Sequence, residues 1–357
     1  MIPLFDIQLR NTSLFEKIQP YLISLTLTDE PGLKSDKLDI VLADKNLDIP
    51  QIGDLLKISL GDKETGLYDM GTFSIDGYSL SHNEMRITAH AADFLEDFKN
   101  PKSRSFENTS SGNISLASVI QTIAADHNIT ARISPELSGI TFSALHQTAE
   151  SDLHFLTRLG QQFNILIKPA GNCLIAMPSG HGFSASGSQL SEVSLTPDST
   201  INWSLEFSKK EQVPSVTAKG YDTDNAEEFF ETVGEGYDSD FEGAHDDDNV
   251  FAKNERFSNG DIGYSLRGLY PTREAAKVAA KAVYEKLTQK AYTFTAEIPG
   301  NSNVLAESNL KLTGFRQGIP TTWIISRSTH ALNSMEYRTS LEAMLSADYQ
   351  TEFNVQG

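Results

Sequence analysis

Serine, histidine and carboxylate side chains could give this chain hydrolytic or metal chemistry, so their spacing is the first test. Gly182-Phe183-Ser184-Ala185-Ser186 begins as a GxSxG nucleophile elbow does but ends in Ser, where the sharp strand-to-helix turn needs Gly. A flexible Ser/Gly segment accounts for it. The eight histidines, at 82, 90, 127, 146, 154, 181, 245 and 330, show no ligand spacing. Asp152 and His154 are near neighbours, yet on a helix they face different sides, and the histidines read as solvent-facing or capping residues. Asp238-Ser239-Asp240-Phe241-Glu242-Gly243 starts like a calcium loop, but its twelfth position is Asn249, where a bidentate Glu is required. A solvated acidic loop is the expectation there. HExxH, GxxxxGK[ST] and the Gly-rich dinucleotide fingerprint are absent, and nothing singles out a glycosidase-type carboxylate pair. The pattern predicts a protein that is not an enzyme and has no catalytic, cofactor-binding or metal-binding residues.

Charge points the same way. The chain of 357 residues has a net charge of −19, and Asp222 to Asp248 alone holds twelve carboxylates in 27 residues without one Lys or Arg. Such a surface repels phosphates, and neutralising phosphates is what drives nucleic-acid affinity, so stable nucleic-acid binding is not expected. A wall that does not hold DNA would still suit a conduit. Cys173 is the lone cysteine, which rules out an intramolecular disulfide and a Cys-x-x-Cys pair. "MIPLFDIQLR" does not read as a signal peptide, and nowhere do eighteen apolar residues run together. No membrane span is expected.

The elements that must position these side chains are mainly strands. Ile23, Leu25 and Leu27, then Leu38, Ile40 and Leu42, then Phe73 and Ile75, then Ile87 and Ala89 recur near period two. Turn residues at Pro31-Gly32, Gly61-Asp62 and Ser81-His82-Asn83 separate them, predicting an antiparallel barrel or sandwich over residues 1–100. The period then changes. Leu116, Val119, Ile120, Ile123 and Ala124 form one helical stripe with Ser115 as N-cap, ending near His127-Asn128. A second helix, "ESDLHFLTRL" from Glu150, is read as capped by Thr148 and as burying Phe155, Leu156, Leu159 and Phe163. A hairpin of Asn164 to Lys168 with Cys173 to Met177 closes this α+β unit, 101–180.

Residues 181–199, rich in Ser and Gly, read as a linker. Strand signals resume at Trp203, Leu205 and Phe207 and at Val213 to Tyr221, and again over the last sixty residues, around Trp323-Ile324-Ile325. These segments, 200–221 and 291–350, are each too few in strands to close alone, so they are read as one discontinuous second barrel. Between them, 222–290 is an insertion of acidic loop plus a helix from Thr272 to Lys290, with Ala276, Ala279, Ala280, Val283 and Leu287 on one face. The expected fold class is α+β, mainly β: two small antiparallel barrels, an α+β middle and a helical, acidic insertion. Asp152, Phe155, Leu156, Arg158, Leu159 and Trp323 are the packing or interface candidates. Asp152 and Arg158 are open to three roles: an ion pair, contact with a neighbouring chain, or independent solvated charges.

Six segments taken in order resemble one family. They are "KSRSF" at Lys102 to Phe106, "ESDLHFLTRLGQQF" at Glu150 to Phe163, "VTAKGYDTDNA" at Val216 to Ala226, "REAAKVAAKAVYEKL" at Arg273 to Leu287, "IPG" at Ile298 to Gly300, and "GFRQGIPTTWIISRSTHAL" at Gly314 to Leu332. In these the chain is similar to the late-control D tail proteins of contractile-tailed phages and to the hub half of type VI secretion spike proteins. The resemblance implies a structural baseplate hub of a phage tail or a prophage-derived injection device, assembled in the bacterial cytoplasm and carried in the virion. It implies a homotrimer that meets a hexameric tail tube protein, a trimeric spike protein and other baseplate proteins. It also implies tube-like barrels, which tripled would present a near-sixfold ring, and a LysM-like middle unit that braces the hub. Two other readings are a peptidoglycan-binding or lytic tail enzyme and a regulator of late gene expression; the second lacks a basic stripe or recognition helix. The acidic tract is the main departure from the family pattern.

Overall fold

The computed structural model of the chain describes residues 2–44, 47–91, 97–107, 113–142, 144–170, 173–182, 191–208, 213–222, 226–234, 263–270 and 272–346. The first unit contributes β1 (Pro3–Leu9), β2 (Leu22–Asp29), β3 (Lys37–Ala43), β4 (Leu55–Asp62), β5 (Gly66–Leu80) and β6 (Glu84–Ala91). All pair antiparallel, in the order β2-β3-β6-β5-β4-β1. Alternation places Leu25, Leu27, Leu38, Ile40, Leu42, Ile58, Leu60, Phe73 and Ile75 in one apolar core. Ile23 is a departure from the simple period. A bulge between Leu22 and Ser24 shifts the register, so Leu22 is buried and Ile23 faces out.

The middle unit follows with β7 (Pro101–Glu107), α1 (Leu116–Asp126), β8 (Thr130–Ile133), β9 (Ala144–Ser151), α2 (Asp152–Phe163), β10 (Ile165–Ala170) and β11 (Cys173–Pro178). Ser115 caps α1, its hydroxyl accepting from Ser118 N. The cap of α2 is Ser151, accepting from His154 N, and not Thr148. Glu150 and Ser151 close strand β9, so the helix starts two residues later than the apolar spacing alone predicts. Within α2, Gly160 permits close approach: a Cβ there would lie 2.8 Å from the Ile165 carbonyl oxygen.

The second β unit is built from β12 (Glu192–Leu195) and β13 (Asn202–Phe207), and after an excursion from strands of the C-terminal third. The excursion comprises β14 (Ser215–Asp222), β15 (Glu227–Gly234), β16 (Tyr264–Tyr270) and α3 (Arg273–Lys290). The chain then returns as β17 (Tyr292–Pro299), β18 (Asn309–Leu312), β19 (Thr322–Leu332) and β20 (Tyr337–Leu345). Its core gathers Trp323, Phe294, Ile325, Leu310 and Leu341, and also Val193 and Leu195. The stretch 181–199 is therefore not all linker: β12 lies parallel to β18 and buries both its apolar residues.

Two expectations change here. Residues 215–222 do not join the second barrel; β14 pairs with β15 and β16 in a separate three-stranded sheet. Val216, Ala218 and Phe229 of that sheet share a core with Ala275, Ala276, Ala279 and Ala280 of α3 and with the middle unit. The part of the tract at Glu227–Gly234 is thus strand. Residues 235–262, including the calcium-like stretch, and 183–190, including most of the Ser184 elbow, lie outside the described residues.

Neither barrel closes. The thirteen-stranded main sheet runs β13-β17-β20-β19-β2-β3-β6-β5-β4-β1, with a two-residue strand at Thr12–Ser13 beyond β1 and β12 and β18 to the side. In the first unit β2 could close on β1, but it pairs instead with β19 of the second, Leu25 opposite Leu332 and Asp29 opposite Ser328. The two β cores share one sheet, because the edge that would close the first barrel forms the seam between the units.

Candidate functional site

Strand β7 presents Lys102, Arg104 and Phe106 on one side, since i, i+2 and i+4 share a face. Ser103 and Ser105 face the other way. Ser103 Oγ accepts from Ala149 N at 2.9 Å, and Ser105 Oγ sits 2.8 Å from His146 Nδ1 on the exposed side. The inward three meet the start of α2. Asp152 is fully buried there, with Lys102 Nζ 2.5 Å from its Oδ2 and Arg104 NH2 2.7 Å from its Oδ1. His127 Nε2 lies 2.8 Å from Oδ2, and Gln147 Nε2 donates to Oδ1 at 2.8 Å. Gln147 itself accepts from Arg104 Nε at 2.8 Å, so β7, the residue that ends α1, β9 and α2 all meet at one carboxylate. Burial by itself would raise the Asp152 carboxyl, but the hydrogen bonds from Lys102, His127 and Gln147 and the Arg104 charge outweigh it and hold the group at about 2.

An aromatic stack runs alongside. Arg104 lies 4.7 Å above the Phe106 ring, Phe106 stacks on Phe155 at 5.6 Å, and Arg158 lies over the Phe155 ring at 5.1 Å. Arg158 does not pair with Asp152; its NH2 reaches Glu150 Oε1 at 2.6 Å. Phe155, Leu156 and Leu159 are fully buried. This arrangement holds a strand and a helix in register. Among the described residues, no three His, Cys, Asp or Glu side chains gather as a metal site requires.

The family model described as phage tail baseplate hub matches residues 99–335, a span that begins just before β7 and ends after β19. The chain belongs to the phage tail baseplate hub family. Across 379 aligned residues it is 26% identical to the probable baseplate hub protein of Escherichia phage P2, covering 99% of this chain and 96% of that one. Its fold is similar to the 43 kDa tail protein of prophage MuSo2 from Shewanella oneidensis, with a TM-score of 0.64, 12% identity, and coverage of 97% and 99%. It is also similar to an E. coli type VI secretion component described as structurally similar to the T4 tail proteins gp27 and gp5, with a TM-score of 0.54, 10% identity, and coverage of 96% and 77%. The chain is a structural hub protein of a phage tail baseplate.

In this hub the "KSRSF" and "ESDLHFLTRL" segments, separate in sequence, are two halves of the Asp152 site. Trp323 stands elsewhere, fully buried in the second β core with its Nε1 donating to Pro320 O at 2.8 Å. His127 is the C-cap residue of α1, as one of the two expected roles has it, and its ring stacks on Phe98 at 3.7 Å. One histidine departs from both expected roles. His330, fully buried at the seam, has Nε2 3.0 Å from Val304 O and Nδ1 2.9 Å from Tyr337 Oη. Burial pushes His330 down to about 4, against the opposing hydrogen bond to Val304. Single-residue spacing carries no signal for either partner set. The period-two Lys102, Arg104, Phe106 pattern was the available clue.

Proposed function

We propose that this hub acts as a homotrimeric adaptor between a hexameric tail tube and a trimeric spike, assembled in the host cytoplasm with other baseplate proteins. The observation that carries this reading is the pair of β cores strung on one sheet within a single chain. Three such chains supply six β units, so one end can match sixfold order while the other keeps threefold order. The domain division proposed is 1–100 as one β unit, 191–208 with 291–346 as the other, and 101–180 as the LysM-like brace, with the described residues of the three-stranded sheet and α3 packed against it as a separate insertion.

The face of the main sheet turned away from its cores supports a conduit role. It carries Thr26, Thr28 and Ser340 and self-neutralising pairs, Arg86 with Asp39 at 2.8 Å and Arg338 with Glu297 at 2.7 Å. In both of these pairs the cation is already held by a carboxylate, which leaves it less free to hold a phosphate chain. The role is structural and not enzymatic. Light scattering on the purified protein, alone and mixed with its cognate spike, tests the assembly: three chains per particle are expected, with a three-lobed ring in electron micrographs. A single chain per particle in both samples sinks the adaptor reading.

A further inference from the structure

A groove of about 280 Å³ opens where the first unit meets the middle unit. The turn between β2 and β3 contributes Pro31 and Leu33, α2 contributes Leu153 and β10 Leu166, and the charged residues are Lys34 and, from α3, Lys286. No Asp or Glu lines it, although the chain as a whole carries a net charge of −19. Lys286 Nζ donates to Gln161 O at 3.0 Å, and among the described residues no carboxylate lies within ion-pair reach of it. Lys34 is mostly in solvent, with Glu30 at 3.7 Å. An apolar groove with cations and no anions fits an apolar segment that brings its own carboxylate.

The chain presents such a segment between β3 and β4. Ile49 and Ile52 are 52% and 58% exposed, and Asp48 beside them is exposed with no cation on it among the described residues. Ile52 stands at the corner of a turn closed by Asp54 N to Gln51 O at 3.2 Å, with Gly53 at φ +88°. β5 clamps that turn: Gly53 N donates to Ile75 O at 2.8 Å and Ile75 N to Asp54 O at 3.0 Å. Arg10 holds Asp54 at 3.1 Å. The tip is thus fixed before any partner arrives, which lowers the entropy lost on docking. A cavity of about 150 Å³ holds a benzene, so the groove has room for about two isoleucine side chains. Two other exposed apolar tips have carboxylates beside them, but those are taken, Asp69 beside Tyr68 by Lys57 and Glu336 beside Met335 by Arg338.

Position favours a contact between chains. Leu55 pairs with Ser74, Ser74 with His90 and His90 with Lys37, so the tip and the turn of the groove sit at the same end of the first unit, three strands apart. Held by β5, the tip stays outside the groove of its own chain. Head-to-tail contacts between unlike surfaces at one level can close into a ring. We propose that Ile49 and Ile52 of one copy dock in the groove of the next, with Asp48 on Lys286, and that three such contacts close the hub. This rests on the trimer proposed above and names the surface that forms it.

Light scattering over a dilution series of the intact protein, alone and with its cognate spike, reads the ring, with melting temperature as the check on folding. The wild type is expected as three chains. Ile52→Asp, which alters an exposed side chain, should raise the concentration at half-dissociation by more than about thirtyfold. Lys286→Glu should raise it about tenfold, and Asp48→Lys combined with Lys286→Glu should restore it. A covalent test identifies the occupant. In a Cys173→Ser background, Ile52→Cys with Lys34→Cys should give, on oxidation, chains linked in twos and threes on a denaturing gel, and neither single variant should. Three chains that are unmoved by Ile52→Asp and by the charge exchange, or that yield no linked species, overturn this docking and leave the groove to another baseplate protein, with the trimer standing. A single chain at every concentration, alone and with the spike, overturns both.

Discussion

The middle unit and the second β unit are both tightly buried, but they are held together by different physics. The second unit closes over aromatic rings: Trp203, Phe294, Phe315 and Trp323 lie with centroids 5.1 to 6.2 Å apart. Its stability follows from apolar area and shape. The middle unit instead puts a charge at its heart, with Asp152 fully buried among Lys102, Arg104 and His127. A buried ion network adds little net stability over an apolar equivalent, but breaking it is costly because the remaining charges are stranded. The contrast implies that volume-conserving apolar changes should be tolerated better in the β core than loss of one charge in the network that pairs strand and helix in the middle unit. For a hub part that must present a fixed surface, register is the more demanding requirement.

The comparison breaks most visibly under truncation. Trp323→Ala and Asp152→Ala should each cost about 3–5 kcal/mol, measured by denaturant unfolding, and Phe155→Ala about the same. They should differ in rescue. Replacing Asp152, Lys102 and Arg104 together by apolar residues of similar volume should recover most of the loss, as no second-site change does for Trp323. Failure of that triple variant to recover stability would mean the network contributes net energy.

Acid separates the two regions next. His330 is neutral in the fold while the unfolded chain takes up a proton near 6.5, so its contribution, about 3 kcal/mol, is complete above that pH and lost as the pH falls to about 4. Asp152 works in a lower window: its contribution, about 2 kcal/mol, is complete above 3.8 and lost as the pH falls to about 2. Calorimetry from pH 7 to 3 should show stability falling first through the seam, and His330→Gln should flatten the upper limb. The smallest effect is expected at Arg158. Its pair with Glu150 is 40% exposed on the arginine side, so Arg158→Ala should cost about 1 kcal/mol or less, a value that a double-mutant cycle with Glu150→Gln can check.

Much of this was legible in the residues. The alternation of Leu25 and Leu27, Leu38 to Leu42, and Trp323 to Ile325 gave the strands, and Ser115 and Thr272 gave helix starts. The order of the six segments gave the family. What failed did so for identifiable reasons. Thr148 and Ser151 are both competent caps, and only the bulge between Gln147 and Glu150 decides which one meets the helix. Val216 and Leu205 have the same strand signature, and which sheet each joins depends on partners far along the chain.

Side-chain periodicity is a local property, so the sequence by itself determined the long strands and the three main helices and most of their inward faces, while β12, β15 and the outward turn of Ile23 escaped it. Hydrogen bonding between edges is not local. Whether β2 closes its own barrel or joins β19, and whether Lys102 and Arg104 spend their charge on solvent or on an aspartate some fifty residues away, rests on which groups three-dimensional packing brings within 3 Å. Only the tertiary structure decided that.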